Sequence, residues 1–161
     1  MVADAAGIAE VHVRSWQVGY RGQLPDDLLD SLEPAQRLDR WTTSLARPAW
    51  PGEGTMVATE GRVVGFGHLR PSPDEPGVGQ ITSFYVDPPA WGRGVGRGLM
   101  QACLAQLTEA GYGSASLWVL DTNTRAHRFY EAMGWSPDGA VLDDVLEGVP
   151  MRDLRYRRDL P

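Results

Sequence analysis

Ile81-Thr82-Ser83-Phe84-Tyr85-Val86-Asp87-Pro88-Pro89-Ala90-Trp91-Gly92-Arg93-Gly94-Val95-Gly96-Arg97-Gly98-Leu99-Met100 begins β-branched and aromatic, halts at Asp-Pro-Pro, and continues as a glycine-rich turn. Apolar side chains then recur at Leu99, Met100, Cys103, Leu104 and Leu107, the spacing of one helix face. The predicted order is strand, loop, helix. Gly92, Gly94, Gly96 and Gly98 remove the Cβ atoms that would hold a ligand off the backbone. Successive N–H groups can then converge on phosphate oxygens, with the positive end of the helix behind them. Arg93 and Arg97 bring guanidinium groups suited to the same phosphates.

Register narrows the choice of phosphate ligand. A dinucleotide fingerprint read from Gly92 or Gly94 puts its third glycine on Arg97 or Leu99, and a P-loop needs a lysine that this chain lacks. What remains, Tyr85-Val-Asp-Pro-Pro-Ala-Trp-Gly-Arg-Gly-Val-Gly96, resembles the acetyl-coenzyme A signature of the GCN5-related N-acetyltransferase (GNAT) family. A second match lies downstream. Asn123, Ala126, Phe129-Tyr130 and Gly134-Trp135 reproduce the family's Asn, Ala, Phe-Tyr-x-x-x-Gly-aromatic pattern. Two unconnected motifs in the right order make coincidence a poor explanation.

The 161 residues, 1–161, suit a single domain. A net charge of −6 and a pI near 5.0 speak against nucleic acid as a partner and suit a cationic acceptor. Cys103 has no second cysteine to pair with, and its place on an apolar stripe reads as a buried structural thiol. No apolar run is long enough for a membrane span, and Met1–Gly7 has no signal-peptide pattern, so a cytoplasmic protein is expected.

Upstream, helices are predicted over Asp4–Gly19, Asp26–Leu32 and Pro34–Leu45, then a hairpin of Met56–Thr59 and Arg62–Leu69. Pro71–Gly79 reads as a mobile loop. Ser116–Leu120 is a strand joined to the cofactor strand by a helical crossover, which implies a parallel pair. Asn123 opens a helix that Gly134 ends. Ser136–Val145 and Met151–Arg158 read as two final strands linked through residues 147–150.

The resemblance implies an α/β (α+β) fold: a mixed, mostly antiparallel twisted sheet flanked by helices, with a central parallel pair splayed by the cofactor. It implies acetyl-CoA as cosubstrate, no metal, a primary amine as acceptor, and direct attack in a ternary complex. Pantetheine would pair with main chain at Phe84, Tyr85 and Val86, and the diphosphate would rest on Gly92, Arg93, Gly94, Val95, Gly96 and Arg97. By the same match Asn123 holds the cofactor and Tyr130 is the acid for the leaving thiolate; a buried packing aromatic is its alternative reading. His12, Trp16, Tyr20 and Arg21 become candidate acceptor contacts, each with a structural alternative and Trp16 read first as core, and homodimers are common in the family.

Departures from the pattern concern the base above all. Gln80 and Trp118 stand where relatives carry acids, which leaves His68 as candidate base, with Glu75 and His12 behind it, structural histidine as its other reading, and ordered water as an equal route. Trp91 replaces the usual Gln or Arg that opens the loop. The chain also starts close to its first helix, where relatives have a strand, so this form either lacks that strand or begins downstream of the natural start. Two other functions fit the motifs: a non-catalytic acyl-CoA-binding module, and a transferase for a larger acyl donor.

Overall fold

The computed structural model describes residues 1–146 and 148–161, so Glu147, in the predicted link between the last two strands, lies outside the described residues. The helices are α1 (Ala5–Gly19), α2 (Asp26–Asp30), α3 (Ala35–Ala46), α4 (Val95–Glu109) and α5 (Thr124–Ala132). The strands are β1 (Gly54–Thr59), β2 (Val63–Pro71), β3 (Val78–Val86), β4 (Ser114–Leu120), β5 (Ser136–Leu146) and β6 (Val149–Asp159). They form one sheet in the order β1-β2-β3-β4-β6-β5. Among the described residues β3 and β4 are the one parallel strand pair, as the crossover through α4 requires. The mixed α/β expectation is met.

Helices cover both faces of this sheet. On one face Ile8 and Val11 of α1 and Trp41 of α3 bury against Phe66 of β2. On the other, Leu99, Met100, Cys103, Leu104 and Leu107 of α4 pack with Leu69, Ile81 and Leu117. The α4 contact is close. A Cβ at Gly67 of β2 would lie 2.7 Å from Cys103 Sγ, so a larger residue there would push α4 off the strand. Burial pushes the Cys103 thiol up to about 12, which leaves it protonated and inert as a nucleophile.

Two departures from the expected elements have local causes. β2 and β3 extend into the segment read as a mobile loop: Arg70 lies opposite Gln80 and hydrogen-bonds its Oε1 at 3.1 and 3.2 Å, and Pro71 lies opposite Gly79. Residues 72–77 that remain as a connection are anchored, because Glu75 pairs with Arg155 and Arg157 of β6. Asp87, read from sequence only as part of a strand stop, is fully buried and accepts from Arg14 Nε at 2.9 Å and Arg62 Nη1 at 2.6 Å. It therefore joins α1 and the residue just before β2 to the end of β3.

Candidate active site

A cleft opens where β3 and β4 part company. Their ladder runs only from Val78–Ser114 to Ile81–Leu117, while β3 stays with β2 as far as Val86 and β4 with β6 as far as Leu120. Beyond Ile81 the two facing edges therefore carry main-chain groups with no strand between them. An extended amide-bearing ligand could pair there as an added strand. The space holds about 520 Å³ and is lined by both edges, by the glycine loop and by one side of α5.

Most of the residues singled out from sequence meet in this cavity. Phe84, Tyr85, Val86, Gly92, Gly94, Gly96, Arg97, Asn123 and Tyr130 all line it. Phe84 stacks on Phe129, with ring centroids 5.7 Å apart, which ties β3 to α5. Asn123 Oδ1 accepts from the Ala126 N–H at 3.1 Å and caps α5, so it sets the helix start as well as facing the cleft. The Val86 carbonyl already accepts from Ser15 Oγ at 3.1 Å and Trp91 Nε1 at 2.6 Å. Both of its lone pairs are engaged, so pantetheine pairing through this oxygen is corrected.

Other expectations need correcting too. Arg93 turns away from the cavity to pair with Glu60 at 2.9 Å, and Val95, one residue past the left-handed Gly94, is rotated off the lining by the helix. His68 is not brought to Tyr130. It shares a face of β2 with Phe66, its ring lies 6.0 Å from that of Trp41, and its Nδ1 is 2.9 Å from Thr55 Oγ1; burial lowers its pKa. His12 is buried beneath Tyr85 and accepts from Trp41 Nε1 at 3.2 Å, and burial, helped by Arg37 and Arg40, lowers it to about 3. Glu75 does not line the cavity, and its pairing with Arg155 and Arg157, the Arg157 hydrogen bond above all, lowers its pKa and makes it a weaker base. Arg21 faces Asp26 and Asp30 on the surface, and Trp16 is absent from the lining, whereas Tyr20 lines the cavity.

Tyr130 lies on α5 with 8% of its surface exposed, in edge contact with Phe84 and Trp135. Burial, then the nearby Tyr85 and Cys103, raise its pKa, so its hydroxyl keeps its proton through the neutral range. No side chain among the described residues hydrogen-bonds to it. Tyr20 is likewise raised by burial and by its neighbours Tyr85 and Tyr130, with the Asp153 carboxylate adding to the effect. Asp153 of β6 lies opposite Leu120 at the splayed end of β4 and is itself raised, by burial and by Asp144 and Asp121. Tyr20, Tyr85 and Tyr130 thus bring three phenols to the cavity lining.

Sequence reasoning passed over Asp153 because only strand pairing across β4 and β6 brings it opposite Leu120, at the splayed end of β4. It also passed over Arg125, a spacer inside the second motif, which lines the cavity with its guanidinium carbon 3.1 Å from the Trp91 ring centroid. The loop itself is built on backbone that favours glycine: Gly94 has φ +85° and is the residue before α4. A Cβ there would meet no protein atom within 4 Å, so space beside it is open to a ligand. Gly94→Val should cost about 1–2 kcal/mol of stability through left-handed strain and weaken coenzyme A binding, read by denaturation and calorimetry respectively. Unaltered binding would remove Gly94 from the anion site.

Among the described residues no group of three or more His, Cys, Asp or Glu side chains could hold a metal, and no helix is long and apolar enough to cross a membrane. A YuaI protein of Bacillus subtilis, called an uncharacterized N-acetyltransferase, is 30% identical over 94% of this chain and 85% of its own length. A mycothiol acetyltransferase of Nocardia farcinica is 39% identical over 52% of this chain, which corresponds to 28% of that larger protein. Among solved structures, the PaiA N-acetyltransferase of Thermoplasma acidophilum, crystallised with coenzyme A, superposes with a TM-score of 0.74 over 98% of this chain and 94% of its own, at 16% identity. YncA of Salmonella typhimurium, crystallised with acetyl-CoA, gives 0.71 over 100% and 91% at 18% identity. The likeness to these two is one of fold. The profile of the Acetyltransferase (GNAT) family matches residues 13–135, which take in the splayed strands, the glycine loop and Tyr130, and this chain belongs to that family.

Proposed function

We propose that this acetyltransferase passes the acetyl group of acetyl-CoA directly to a primary amine while both substrates are bound. The observation that carries the reading is the cleft of unpaired strand edges, with anion-suited amides at one end and the Tyr130 hydroxyl beside it. The amides of the Gly92–Arg97 loop and the Arg97 guanidinium hold the diphosphate, and the free edge of Phe84 and Tyr85 orients the pantetheine. A main-chain N–H near Val86 faces the thioester oxygen, where charge develops during attack. The new bond joins amine nitrogen to the acetyl carbon as the carbon–sulfur bond breaks. Tyr130 then donates a hydrogen bond to the departing sulfur.

The attacking nitrogen must first lose a proton, since an alkylammonium titrates near 10.4. No carboxylate or imidazole is among the described residues that line the cavity, so this proton leaves through water. Tyr20 and Tyr85, both in the lining and held protonated by burial, offer hydroxyl oxygens that can accept from an amine. The kcat/KM for the amine should therefore climb with pH toward the amine's own pKa, and His68→Gln should leave that climb in place. A profile that loses a limb near neutrality in His68→Gln would restore His68 as the base.

The test of the function itself is acetyl-CoA-dependent thiol release across a panel of amines and peptides. Turnover that depends on both acetyl-CoA and one class of amine is expected. Coenzyme A binding without turnover on any acceptor would favour a regulatory binding module. Faster turnover with succinyl-CoA than with acetyl-CoA would favour a larger acyl donor.

A further inference from the structure

Position 91 departs from the pattern that the loop otherwise follows, and its surroundings suggest what replaces the missing polar side chain. Trp91 follows the single 3₁₀ turn Pro88–Ala90, and its Nε1 donates to the Val86 carbonyl at 2.6 Å, so the end of β3 sets the orientation of the indole. Arg125, the second residue of α5, lays its guanidinium on that ring. A separation of 3.1 Å from carbon to centroid leaves room only for a face-to-face arrangement. The stacked face is then covered, but the N–H groups around the guanidinium edge remain free to donate.

The charge balance around the cavity sharpens the point. Of the arginines near the loop, Arg93 is engaged with Glu60, whereas Arg97 and Arg125 line the cavity and form no hydrogen bond or ion pair among the described residues. Two guanidinium groups without a partner among the described residues, in a lining that holds no carboxylate, favour an anionic ligand in a chain of net charge −6. Burial lowers the Arg125 pKa, a cost that the ring's negative face offsets. The glycine-loop amides and Arg97 lie at the start of α4, but Arg125 stands apart from them on α5.

We propose that Arg125, held by Trp91, binds the phosphomonoester on the ribose of coenzyme A, and that Trp91 is a positioning residue for it. This rests on the coenzyme A reading of the cleft. Arg125 lines the cavity and is solvent-exposed, on α5 and not in the glycine loop; since the proposed function gives the diphosphate the loop amides and Arg97, Arg125 is left for the coenzyme's remaining phosphate. Stacking keeps the long side chain in place before the ligand arrives, which reduces the ordering needed on binding.

Calorimetry with coenzyme A and with 3′-dephospho-coenzyme A tests this. Arg125→Ala should weaken coenzyme A about tenfold, the scale of one lost hydrogen bond between charged groups, and leave the dephospho compound's affinity unchanged. Trp91→Ala should reproduce that selective loss, and Trp91→Phe, which keeps an aromatic face, should restore most of it. Equal losses for both nucleotides would place Arg125 on the diphosphate and overturn the assignment. No loss for either would overturn the clamp altogether. If the wild-type chain binds neither nucleotide, the coenzyme A reading fails with it, whereas wild-type binding with an indifferent Arg125→Ala sinks this inference alone. Unfolding midpoints close to wild type for both alanine variants show that the losses are local.

Discussion

Tyr130→Phe should lower kcat about 100-fold while the KM for acetyl-CoA stays close to wild type. Proton-transfer groups contribute about 10²–10⁴-fold, and the lower end is expected here for a stated reason. Burial holds the Tyr130 proton above its ordinary value, whereas a thiol of this kind titrates near 8.5. The phenol is thus a weaker acid than the thiol it serves. Its main contribution is a hydrogen bond to sulfur that strengthens as negative charge develops, with bulk water completing the proton transfer. Removing one oxygen leaves the ring's contacts with Phe84 and Trp135 in place, so binding and fold should survive. Because the hydroxyl stays protonated past neutrality, the wild-type rate should show no falling limb from Tyr130 below about pH 10. A kcat unchanged in Tyr130→Phe would strip the residue of its chemical role and leave a packing aromatic.

Asp87→Ala should destabilise the fold by about 2–3 kcal/mol, a fall of roughly 5–10 °C in Tm for a domain of this size. The carboxylate is fully buried, while Arg14 and Arg62 keep 39% and 52% of their side-chain surface exposed. Those arginines can turn to water once Asp87 is gone, which holds the loss below that of an all-buried pair. What disappears is a cross-link from α1 and β2 to the strand that carries Phe84–Val86. The same substitution should loosen coenzyme A binding, because Val86 and Trp91 lie beside it. Thermal and chemical denaturation measure the first effect, and calorimetry the second.

The pH dependence of that stability has a definite sign. Burial alone would raise the Asp87 pKa, but the hydrogen bonds and charges of Arg14 and Arg62 outweigh it and leave the folded value below the ordinary one. A carboxyl with a depressed folded pKa stabilises the protein above its unfolded pKa, near 3.9, and that contribution fades as pH falls through the folded value. Wild type should therefore lose this share of its stability only below about pH 4. Asp87→Ala should lack it, so the gap between the two proteins should narrow in acid. A gap that widened in acid would contradict the pairing.

The amino-acid sequence by itself determined the strand-loop-helix unit at residues 81–100, the parallel crossover to β4, the helical faces and the capped start of α5. Each of these is local: β-branched runs, a proline stop, glycine where φ must be positive, and apolar residues three and four apart. The two motifs also carried most of the residues singled out that line the cavity, because the place of backbone amides and small residues in the chain sets where they fall. Where a side chain points across the sheet depends on register and on which strands separate, and neither is written in a local pattern. Only the tertiary structure decided that Arg93 faces Glu60, that Arg125 lies on Trp91, that His68 turns toward Trp41 instead of Tyr130, and that Asp153 lies opposite Leu120 at the splayed end of β4. It decided too that Asp87 is a buried anchor, because the arginines that surround it come from α1 and the residue just before β2, 73 and 25 positions away along the chain.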